Sequence, residues 1–541
     1  MKLRIILLLD SLEVSAWVWE AIFQVFQSEN AEIVLAGINQ NPKSSGKKSP
    51  FLYRVYRYLD RKLFTNPPDA FSKKDLRTIP NWKIPILSIS PIQKKFSDYL
   101  NSDTIRELQG YQPDIVLRFG FRILRGEILD LPKLGVWSYH HGDIRAFRGG
   151  PPCFWEVMNQ SETTGAVLQQ LNQKLDDGLV LYQGRFQTDP LSVQRNANKV
   201  FWNSSYFIFR VLRQISVLGL EKWKQNLLEN QENVGAKSEI LTPPGSYKML
   251  SSWVKLWSRN AFRKGIEQFQ KPHWELTVAK RLNHQFIPDH FEVISSSCAP
   301  HKKGSFWADP FPVDYQGECW VFYEEYDGAI KKGKIGVGLW DGKTLRDCQI
   351  VLEESWHLSY PFIWKENGEF YLIPESGEAG KTYLYKATKF PYNWDRVGEF
   401  FIAEAYDPTL HKIGDKYWLF VNQKAHPGSS AFVELNAYWS SSLENPVWVP
   451  HALNPVVSDV VSSRPAGTIV EHQGKLFRPA QDSGKRYGHQ IRIQEILVLT
   501  ETEYQEKTVQ LISPDASQGI LGTHTLNFSE KWAFSDRFYR K

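Results

Sequence analysis

Cysteine is scarce in this sequence, and its scarcity excludes two kinds of architecture. The 541 residues include four cysteines, Cys153, Cys298, Cys319 and Cys348, at unrelated spacings and without a Cys-x-x-Cys pair. That spacing supports neither a disulfide framework nor a zinc knuckle. We therefore expect four reduced core cysteines and predict no metal site.

Long apolar runs are absent as well. The best candidate, Ile5 to Leu9, is stopped by Asp10, whereas a membrane-spanning helix needs about 18 apolar residues. The run is also too short for a signal peptide, and no small-residue cleavage site follows it. The expected compartment is the cytoplasm. Because no helix-turn-helix, zinc or RNP-type pattern is present, no nucleic-acid partner is expected.

Positive charge is concentrated in one segment. Residues 41–100 carry 13 basic and 4 acidic residues, while the whole chain has a net charge of +6. Within this segment, residues 51–64 place Arg54, Arg57 and Arg61 at helical spacing among aromatic and aliphatic side chains, which predicts a basic amphipathic helix. Such a helix could make peripheral contact with an anionic membrane or lie near a phosphate-bearing substrate. It could equally be a solvated helix packed on its own domain.

The first part of the chain has the pattern of an α/β domain. Short apolar runs alternate with amphipathic stretches over residues 1 to about 190, which predicts an open, mainly parallel sheet with helices on its faces. Helices are expected at Val14–Phe26 and Val200–Leu218, and no GxGxxG follows the first strand. The predicted strands are Leu3–Leu9, Glu32–Ile38, Ile84–Ile89, Asp114–Phe119, Gly135–Tyr139, Ala166–Leu171 and Leu179–Phe186.

The second part of the chain is β-rich and repetitive. A bend bearing proline, an apolar run, a glycine turn and an aromatic strand recur, with Pro310, Pro361, Pro408 and Pro465 spaced 51, 47 and 57 residues apart. A period near fifty predicts the blades of a β-propeller. Four copies and a degenerate fifth indicate five blades, with residues 274–293 supplying a strand that closes the ring. The aromatic content of 14% suits packed β-structure, and rings of this kind also stack on sugars.

The segment from Pro113 to Gln183 carries a recognisable motif series. It contains, in order, Ser138-Tyr139-His140, the loop Gly142-Asp143-Ile144-Arg145, then Arg148-Gly149 and Leu175-Asp176-Asp177-Gly178. This order and spacing resemble the catalytic domain of the formyltransferases that use 10-formyltetrahydrofolate, in which a strand ends Asn-x-His and a Leu-Asp-x-Gly follows. The resemblance covers about 180 residues. It implies a Rossmann-like α/β fold and 10-formyltetrahydrofolate as the formyl donor and co-substrate.

The resemblance also implies roles for individual residues. Formyl transfer to an amine passes through a tetrahedral species with negative charge on oxygen, so a fixed donor or cation is needed there. By the alignment, His140 supplies it and Asp176 accepts the amine's proton. Ser138 stands where the family has Asn. Either His140 or His141 could face the site, and counting back from Arg148-Gly149 without a gap selects His140.

The same alignment implies a folate-binding loop. Gly142, Asp143, Ile144 and Arg145 occupy the positions that lie against the folate in the family. Asp143 and Arg145 replace the usual Leu and Pro. The folate contacts of these four residues are therefore inferred from their positions in the alignment and not from their residue types.

The repeats resemble the five-bladed propeller at the amino terminus of plant glucosamine inositolphosphorylceramide transferases, a module related in shape to glycoside hydrolase propellers. Asp309, Glu375, Asp407 and Asp482 sit at comparable places in their repeats and could converge at the central channel. Paired carboxylates there would suit glycoside hydrolysis. Alternatively, Asp before Pro could simply cap turns. We favour a glycan at the propeller, bound and not hydrolysed, with the cation Arg464 lowering the pKa of these acids.

Together these patterns predict an α/β formyltransferase-like domain at residues 1–235, a linker helix at 236–275 and an all-β five-bladed propeller at 276–541. The predicted function is transfer of a formyl group to the amine of an amino sugar or nucleotide sugar in glycan biosynthesis. The alternative is an inactive formyltransferase-like scaffold whose propeller binds glycans or acts as a glycosidase.

Overall fold

The structure is a computed structural model that describes residues 2–42, 49–174, 177–229, 239–270, 272–281, 286–288, 290–300 and 304–540. The chain divides into two compact units, Met1–Ala261 with Ala425–Ser430 and Phe262–Lys424 with Ala431–Lys541. The division falls within the helix Ser246–Phe269. The domain bounds at residues 235 and 275 stay a prediction. Within the described ranges, no helix is both long and apolar enough to cross a membrane.

A seven-stranded sheet forms the centre of the first unit. Its strands lie in the spatial order Leu179–Gln187, Thr163–Gln170, Val136–His140, Ile115–Arg118, Leu3–Leu9, Ala31–Asn39 and Ile86–Ile89. The last five are parallel to one another, and the first two join as an antiparallel hairpin. Each predicted strand is present, with its ends shifted by a few residues. Residues 5–9 are at most 1% exposed, as expected for a strand covered on both faces.

Helices cover this sheet. They are Ala16–Phe26, Phe51–Phe64, Ser102–Gly110, Trp155–Asn159, Val193–Ser204, Phe207–Leu218 and Leu220–Glu229. Short strands accompany them at Glu13–Ser15, Lys73–Asp75, Ile92–Lys94, Ser97–Tyr99, Ile123–Arg125, Arg148–Gly149 and Ile240–Leu241, and 3₁₀ turns at Leu76–Thr78 and Glu127–Leu129.

Two helix predictions have different outcomes. The basic helix lies at its predicted bounds, Phe51–Phe64, and buries Tyr56. Its contact with a membrane stays a prediction. The single helix expected over residues 200–218 is wrong, because two helices meet at Ser205. The Ser205 hydroxyl donates to the carbonyl of Trp202 over 2.7 Å, and such local bonds compete with helix continuation.

The second unit consists of five sheets, each made of four or five strands. They are Phe306–Tyr315, Glu318–Asp327, Lys332–Trp340, Leu345–Leu352; Ser359–Glu366, Glu369–Glu375, Thr382–Lys389, Asn393–Phe401; Tyr406–Ile413, Lys416–Asn422, Glu434–Ser440, Val449–Pro450, Val457–Ser458; Arg464–Pro465, Val470–His472, Lys475–Asp482, Gln490–Leu499, Tyr504–Ile512; and Pro272–Lys280, Glu292–Val293, Leu526–Phe528, Trp532–Arg540. Short 3₁₀ turns lie at Gly377–Ala379 and Ala516–Gln518.

Hydrogen bonds join the sheets into a closed circle. They run from Tyr360 N to Asp309 Oδ2, between Tyr360 Oη and Thr409 Oγ1, from Arg464 Nη2 to Asp407 Oδ1, from Leu526 N to the Ala466 carbonyl, and from Asn527 Nδ2 to the Pro310 carbonyl. The fifth sheet pairs the first strand, Pro272–Lys280, with the last, Trp532–Arg540. This confirms the five-bladed β-propeller and the predicted closing strand.

Candidate functional site

The strand Val136–His140 presents alternate side chains to opposite faces of the sheet. Ser138 and His140 therefore share one face, and Tyr139 and His141 share the other. Ser138 is 3% exposed, and its Oγ accepts a hydrogen bond of 2.9 Å from Arg118 Nη1 on the adjacent parallel strand. The Ser138 hydroxyl is thus fixed next to a guanidinium at the strand end and keeps its own proton to donate.

The His140 ring is held by the loop that follows it. His140 Nε2 lies 3.0 Å from the carbonyl oxygen of Phe147, which requires a proton on Nε2 because a carbonyl can only accept. Gly142 makes this possible, since a Cβ there would lie 2.9 Å from His140 Nε2 and 3.0 Å from that carbonyl. The loop therefore fixes both the orientation and the tautomer of His140.

His141 belongs to the apolar core. Its ring stacks on Phe201 with centroids 3.6 Å apart, and its Nε2 lies 3.1 Å from Ser204 Oγ. Burial, with a smaller contribution from His140, lowers the pKa of His141 to about 3. His141 is consequently a neutral packing residue, and the choice between the two histidines falls on His140.

A buried glutamate that the sequence analysis did not single out lies beside His140. Glu156, in the short helix Trp155–Asn159, is 1% exposed, and its Oε1 has no hydrogen-bond partner. That oxygen would lie 3.5 Å from a Cβ on Gly142, so it shares a small space with the imidazole. The sequence signal is a lone acid within the apolar run Cys153 to Met158.

Burial dominates the electrostatics of this carboxyl. It raises the pKa of Glu156 to about 7, with His140 lowering the value and Asp143 raising it. A carboxyl with this pKa is divided between acid and base forms near neutral pH. It is therefore suited to proton transfer.

The predicted folate loop is a compact turn. Asp143 Oδ1 accepts from Arg145 N over 2.9 Å and from Arg145 Nε over 3.1 Å, and a Cβ on Gly165 would lie 2.9 Å from Asp143 N. Ile144 is buried, with 6% of the residue exposed. Folate contact at residues 142–145 stays a prediction.

Asp176, the predicted proton acceptor, lies outside the described residues. At the next residue along the chain, the backbone carbonyl of Asp177 accepts a hydrogen bond of 2.6 Å from Asn172 Nδ2. A Cβ on Gly178 would lie 2.2 Å from the Gln170 carbonyl oxygen, which accounts for glycine at that position of the motif. The roles of Ser138, His140 and Asp176 stay predictions.

A second polar cluster lies where the blades meet in the second unit. All four carboxylates expected there, Asp309, Glu375, Asp407 and Asp482, are at most 7% exposed. Burial first, and then the charge of Asp407, raises the pKa of Glu375 to about 7. Asp482 instead binds Arg492 Nε and Gln490 Nε2 of its own blade, each over 2.9 Å.

The cation expected beside these acids is present. Arg464 holds Asp407 through two hydrogen bonds, and Gln481 Nε2 donates to Asp407 Oδ2 over 3.1 Å. Arg464 lowers the pKa of Glu375, as expected, but burial and the charge of Asp407 outweigh this effect and the net shift is upward. Glu324 is a further buried carboxyl, and burial and Asp309 raise its pKa well above the usual range.

A histidine completes the cluster. His524 Nε2 lies 3.6 Å from Asp309 Oδ1, and His524 Nδ1 lies 2.7 Å from Asp536 Oδ2. Burial lowers the pKa of His524, but Asp536 and Asp309 outweigh it and raise the value. These three side chains have the spacing of metal ligands, although the 2.7 Å separation is that of a charged hydrogen bond. The Asp residues before Pro therefore bind across blades, which is more than capping their own turns.

Comparison with known proteins follows the same division. Residues 61–200 match the family described as formyl transferase, and residues 292–525 match the family described as glucosamine inositolphosphorylceramide transferase 1, N-terminal. The fold and these matches define an α/β formyl transferase domain joined to a β-propeller. Each match covers less than half of the chain, and together they confirm both resemblances.

Individual relatives cover one part or the other. Glucosamine inositolphosphorylceramide transferase 1 of Oryza sativa subsp. japonica is 33% identical over 231 residues, or 41% of this chain and 31% of that protein. Methionyl-tRNA formyltransferase of Lysinibacillus sphaericus is 26% identical over 43% of this chain and 78% of that protein. The bifunctional polymyxin resistance protein ArnA of Wigglesworthia glossinidia brevipalpis is 30% identical over 25% of this chain and 20% of that protein. The chain thus spans about a third of the plant relatives' length.

Proposed function

We propose that the first unit transfers a formyl group from 10-formyltetrahydrofolate to the amine of an amino sugar or nucleotide sugar. One observation carries the proposal. His140, fixed by the Phe147 carbonyl, shares a closed space with the orphaned Oε1 of Glu156. A histidine of fixed tautomer beside a carboxyl with a pKa of about 7 is the pair that acid–base chemistry at an amine requires.

The residues present fit a formyl donor. The orphaned Glu156 oxygen is a buried acceptor that awaits a hydrogen-bond donor, and Gly142 leaves the His140 edge uncovered by a side chain. When bound, 10-formyltetrahydrofolate supplies the carbonyl carbon that the amine attacks. The loop of Gly142, Asp143, Ile144 and Arg145 would hold it.

Ser138 and the imidazolium form of His140 supply the stabilisation of negative charge. His140 does so through its Nδ1 proton, because its Nε2 proton is already donated to the Phe147 carbonyl. Both lie on the same face of one strand, Ser138 with a hydroxyl proton to donate and with Arg118 Nη1 at 2.9 Å. Donors fixed before the reaction are worth about 3–4 kcal/mol each where charge develops on oxygen. Asparagine in the family supplies an amide donor at this position, and Ser138 with Arg118 supplies a hydroxyl beside a cation.

Glu156 and Asp176 divide the proton transfer. As the new C–N bond forms, the bond from the formyl carbon to N10 of the donor breaks. The amine loses a proton, which an ionised carboxylate near the site accepts, and the departing N10 takes up a proton. Asp176 holds this role in the family's motif. Glu156 in its ionised form stabilises positive charge on His140 by Coulomb attraction, and it takes up or releases a proton near neutral pH.

An amino sugar is the acceptor we favour because of the second unit. The plant relative matched by this unit is named for transfer of glucosamine, which is itself an amino sugar. A propeller that holds a carbohydrate would keep such an acceptor near the protein.

The test is a panel of amino sugars and nucleotide-linked amino sugars incubated with the full chain and 10-formyltetrahydrofolate, with formylated product followed by mass spectrometry. We expect one acceptor to be formylated by the wild type. Glu107→Gln, which changes an exposed glutamate, is the control and should formylate the same acceptor. His140→Ala should yield about a hundredfold less product. Equal product from His140→Ala and wild type would contradict the site.

A second candidate is a formyltransferase-like scaffold without turnover. The observation that favours it is Ser138, which replaces the family's Asn and is already bonded to Arg118. Folate capture without formylation of any acceptor in the panel would support the scaffold over the enzyme.

A further inference from the structure

A cavity of about 700 Å³ lies within the second unit. Its walls come from the end of the helix Ser246–Phe269, the strands Pro272–Lys280 and Trp532–Arg540, and the loop at residues 485–487. That volume is in the range of small-molecule sites. The lining residues are Arg263, Ile266, Glu267, Gln270, Trp274, Lys485, Arg486, Tyr487, Leu521, Phe538 and Arg540.

The charge of the lining is strongly positive. Four of its side chains, Arg263, Lys485, Arg486 and Arg540, are cationic, and Glu267 is the single acid among them. Glu267 Oε1 lies 3.3 Å from Arg540 Nη2 and 3.8 Å from Arg263 Nε, so its charge is opposed by two guanidinium groups. Convergent Arg and Lys groups select phosphate or carboxylate.

Aromatic rings form the remaining wall, and they are held in place. The Trp274 ring stacks on His524 at 4.0 Å and lies 5.1 Å from Phe538. Gly488, at φ +60°, lets the loop pack against Trp274, because a Cβ there would lie 2.7 Å from the indole. These rings need little rearrangement to accept a ligand's apolar face, such as the C–H face of a sugar.

The pocket is also connected to the polar cluster. The Arg464 guanidinium lies 5.2 Å from the Tyr487 ring. Tyr487 therefore has one face toward the Arg464–Asp407 pair and also lines the cavity. It gives the pocket a hydroxyl for sugar recognition.

We infer that this pocket binds an anionic saccharide, a sugar that carries a phosphate or a carboxylate. The cations take the anionic group, and Trp274, Tyr487 and Phe538 take the sugar ring. This site is additional to formyl transfer, and its binding assay contains no formyl donor. The two proposals are therefore tested independently, and a negative result for one does not contradict the other.

The experiment is calorimetric titration of the full chain with glucose 6-phosphate, glucuronate, glucose and inorganic phosphate. We expect glucose 6-phosphate, glucuronate or both to bind at least about tenfold more tightly than glucose and than inorganic phosphate, because charge and ring contacts add. The two acidic sugars distinguish a phosphate from a carboxylate as the recognised group. Binding of the acidic sugar should weaken as sodium chloride is raised, since salt screens the cations.

Variants locate the site. Lys485→Ala with Arg486→Ala should weaken binding of the acidic sugar about tenfold or more. The matched control is Lys343→Ala with Lys531→Ala, which removes the same charge from exposed positions outside the pocket and should leave affinity unchanged. Glucose binding as tightly as the acidic sugars would overturn the anionic assignment. If inorganic phosphate bound as tightly as the acidic sugars, the inference that the ligand is a saccharide would be overturned. Equal affinity in both double variants, or no binding at millimolar concentrations, would overturn the pocket.

Discussion

Two buried glutamates, one in each unit, have the same shifted pKa and opposite surroundings. Burial raises the pKa of both Glu156 and Glu375 to about 7. Glu375 uses both oxygens, with Ser359 Oγ donating to Oε2 over 3.0 Å and Gly377 N donating to Oε1 over 2.7 Å. Glu156 leaves Oε1 without a partner.

The difference separates a group held by the fold from a group available for a ligand. A buried acceptor without a donor costs about 1–3 kcal/mol, and such a group in a native fold is explained by a bound water, an ion, strain or a function. Glu375 carries no such cost, so its shifted pKa follows from packing in a crowded polar cluster. A raised pKa alone therefore does not mark a catalytic acid, and our proposal for Glu156 depends on its unpaired oxygen and on its position beside His140.

The largest effect is expected in the propeller. Arg464→Ala leaves Asp407 buried without its cation and should lower the free energy of unfolding of the second unit by about 3–5 kcal/mol. The control is Arg346→Ala, whose exposed pairing with Asp341 should cost less than about 1 kcal/mol. Thermal denaturation of the full chain measures both. Similar small losses would show that the Arg464–Asp407 pair does not stabilise the ring.

The two glutamates should also change the dependence of stability on pH. Each has a folded pKa raised from an ordinary value of 4.5 to about 7, so each favours the folded state fully below the ordinary value and loses that contribution as pH rises through 7. Over this window each loss is about 3 kcal/mol. The melting temperature of the wild type should fall between pH 5 and pH 8. In Glu156→Gln and in Glu375→Gln this fall should be smaller, because each variant lacks one of the two titrating carboxyls. An unaltered slope in either variant would mean that its carboxyl is not buried in the folded state.

Formyl transfer should depend on two motif residues. His140→Ala and Asp176→Asn are each expected to reduce turnover by about a hundredfold or more, the loss typical of a charge-stabilising or acid–base group. Steady-state kinetics with the acceptor found in the panel measures the loss. Wild-type turnover in both variants would refute the assignment.

Ser138 should tolerate the family's residue. Ser138→Asn is expected to keep or raise activity, because asparagine restores an amide donor on the same face as His140. Ser138→Ala is the comparison, since it removes the hydroxyl donor, while Arg118 keeps its hydrogen bonds to the carbonyls of Phe121 and Arg122. Activity of the Asn variant below that of the Ala variant would show that the hydroxyl has another role.

No glycoside hydrolysis is expected from the propeller. Hydrolysis requires one carboxyl that donates a proton and a second at a set separation from it, but Ser359 and Gly377 engage Glu375, and Arg464 engages Asp407. Reducing-sugar assays on saccharides bound by the protein should stay at background. Release that disappears in Asp309→Asn or Glu375→Gln would make the propeller a glycosidase.

Much of the fold could be predicted from local patterns. The strands of the first unit are short apolar runs bounded by polar residues, and the blades repeat around Pro310, Pro361, Pro408 and Pro465. The period of a pattern reports secondary structure directly. The split between Val193–Ser204 and Phe207–Leu218 could not be predicted in this way, because the Ser204 and Ser205 hydroxyls bond to backbone carbonyls of the preceding turn and such bonds leave no periodic signal in the sequence.

The sites were less predictable because they depend on contacts across the fold. Spacing placed Ser138 and His140 on one face, but Glu156 joins them only through a helix that returns to the strand end. Asp482 looked equivalent to Asp309 in the repeat, and yet Arg492 of its own blade binds it. The sequence shows which chemical groups are available for a site, but the tertiary structure decides which partner each charged group binds.

The most direct test compares the two glutamates in one reaction. Formyl transfer from 10-formyltetrahydrofolate should be measured for wild type, Glu156→Gln and Glu375→Gln as a function of pH. Our account predicts that Glu375→Gln keeps the wild-type rate and profile, while Glu156→Gln loses about tenfold or more and no longer shows a transition near pH 7. Equal rates and an unchanged transition in Glu156→Gln would contradict the claim that this orphaned carboxyl belongs to the active site.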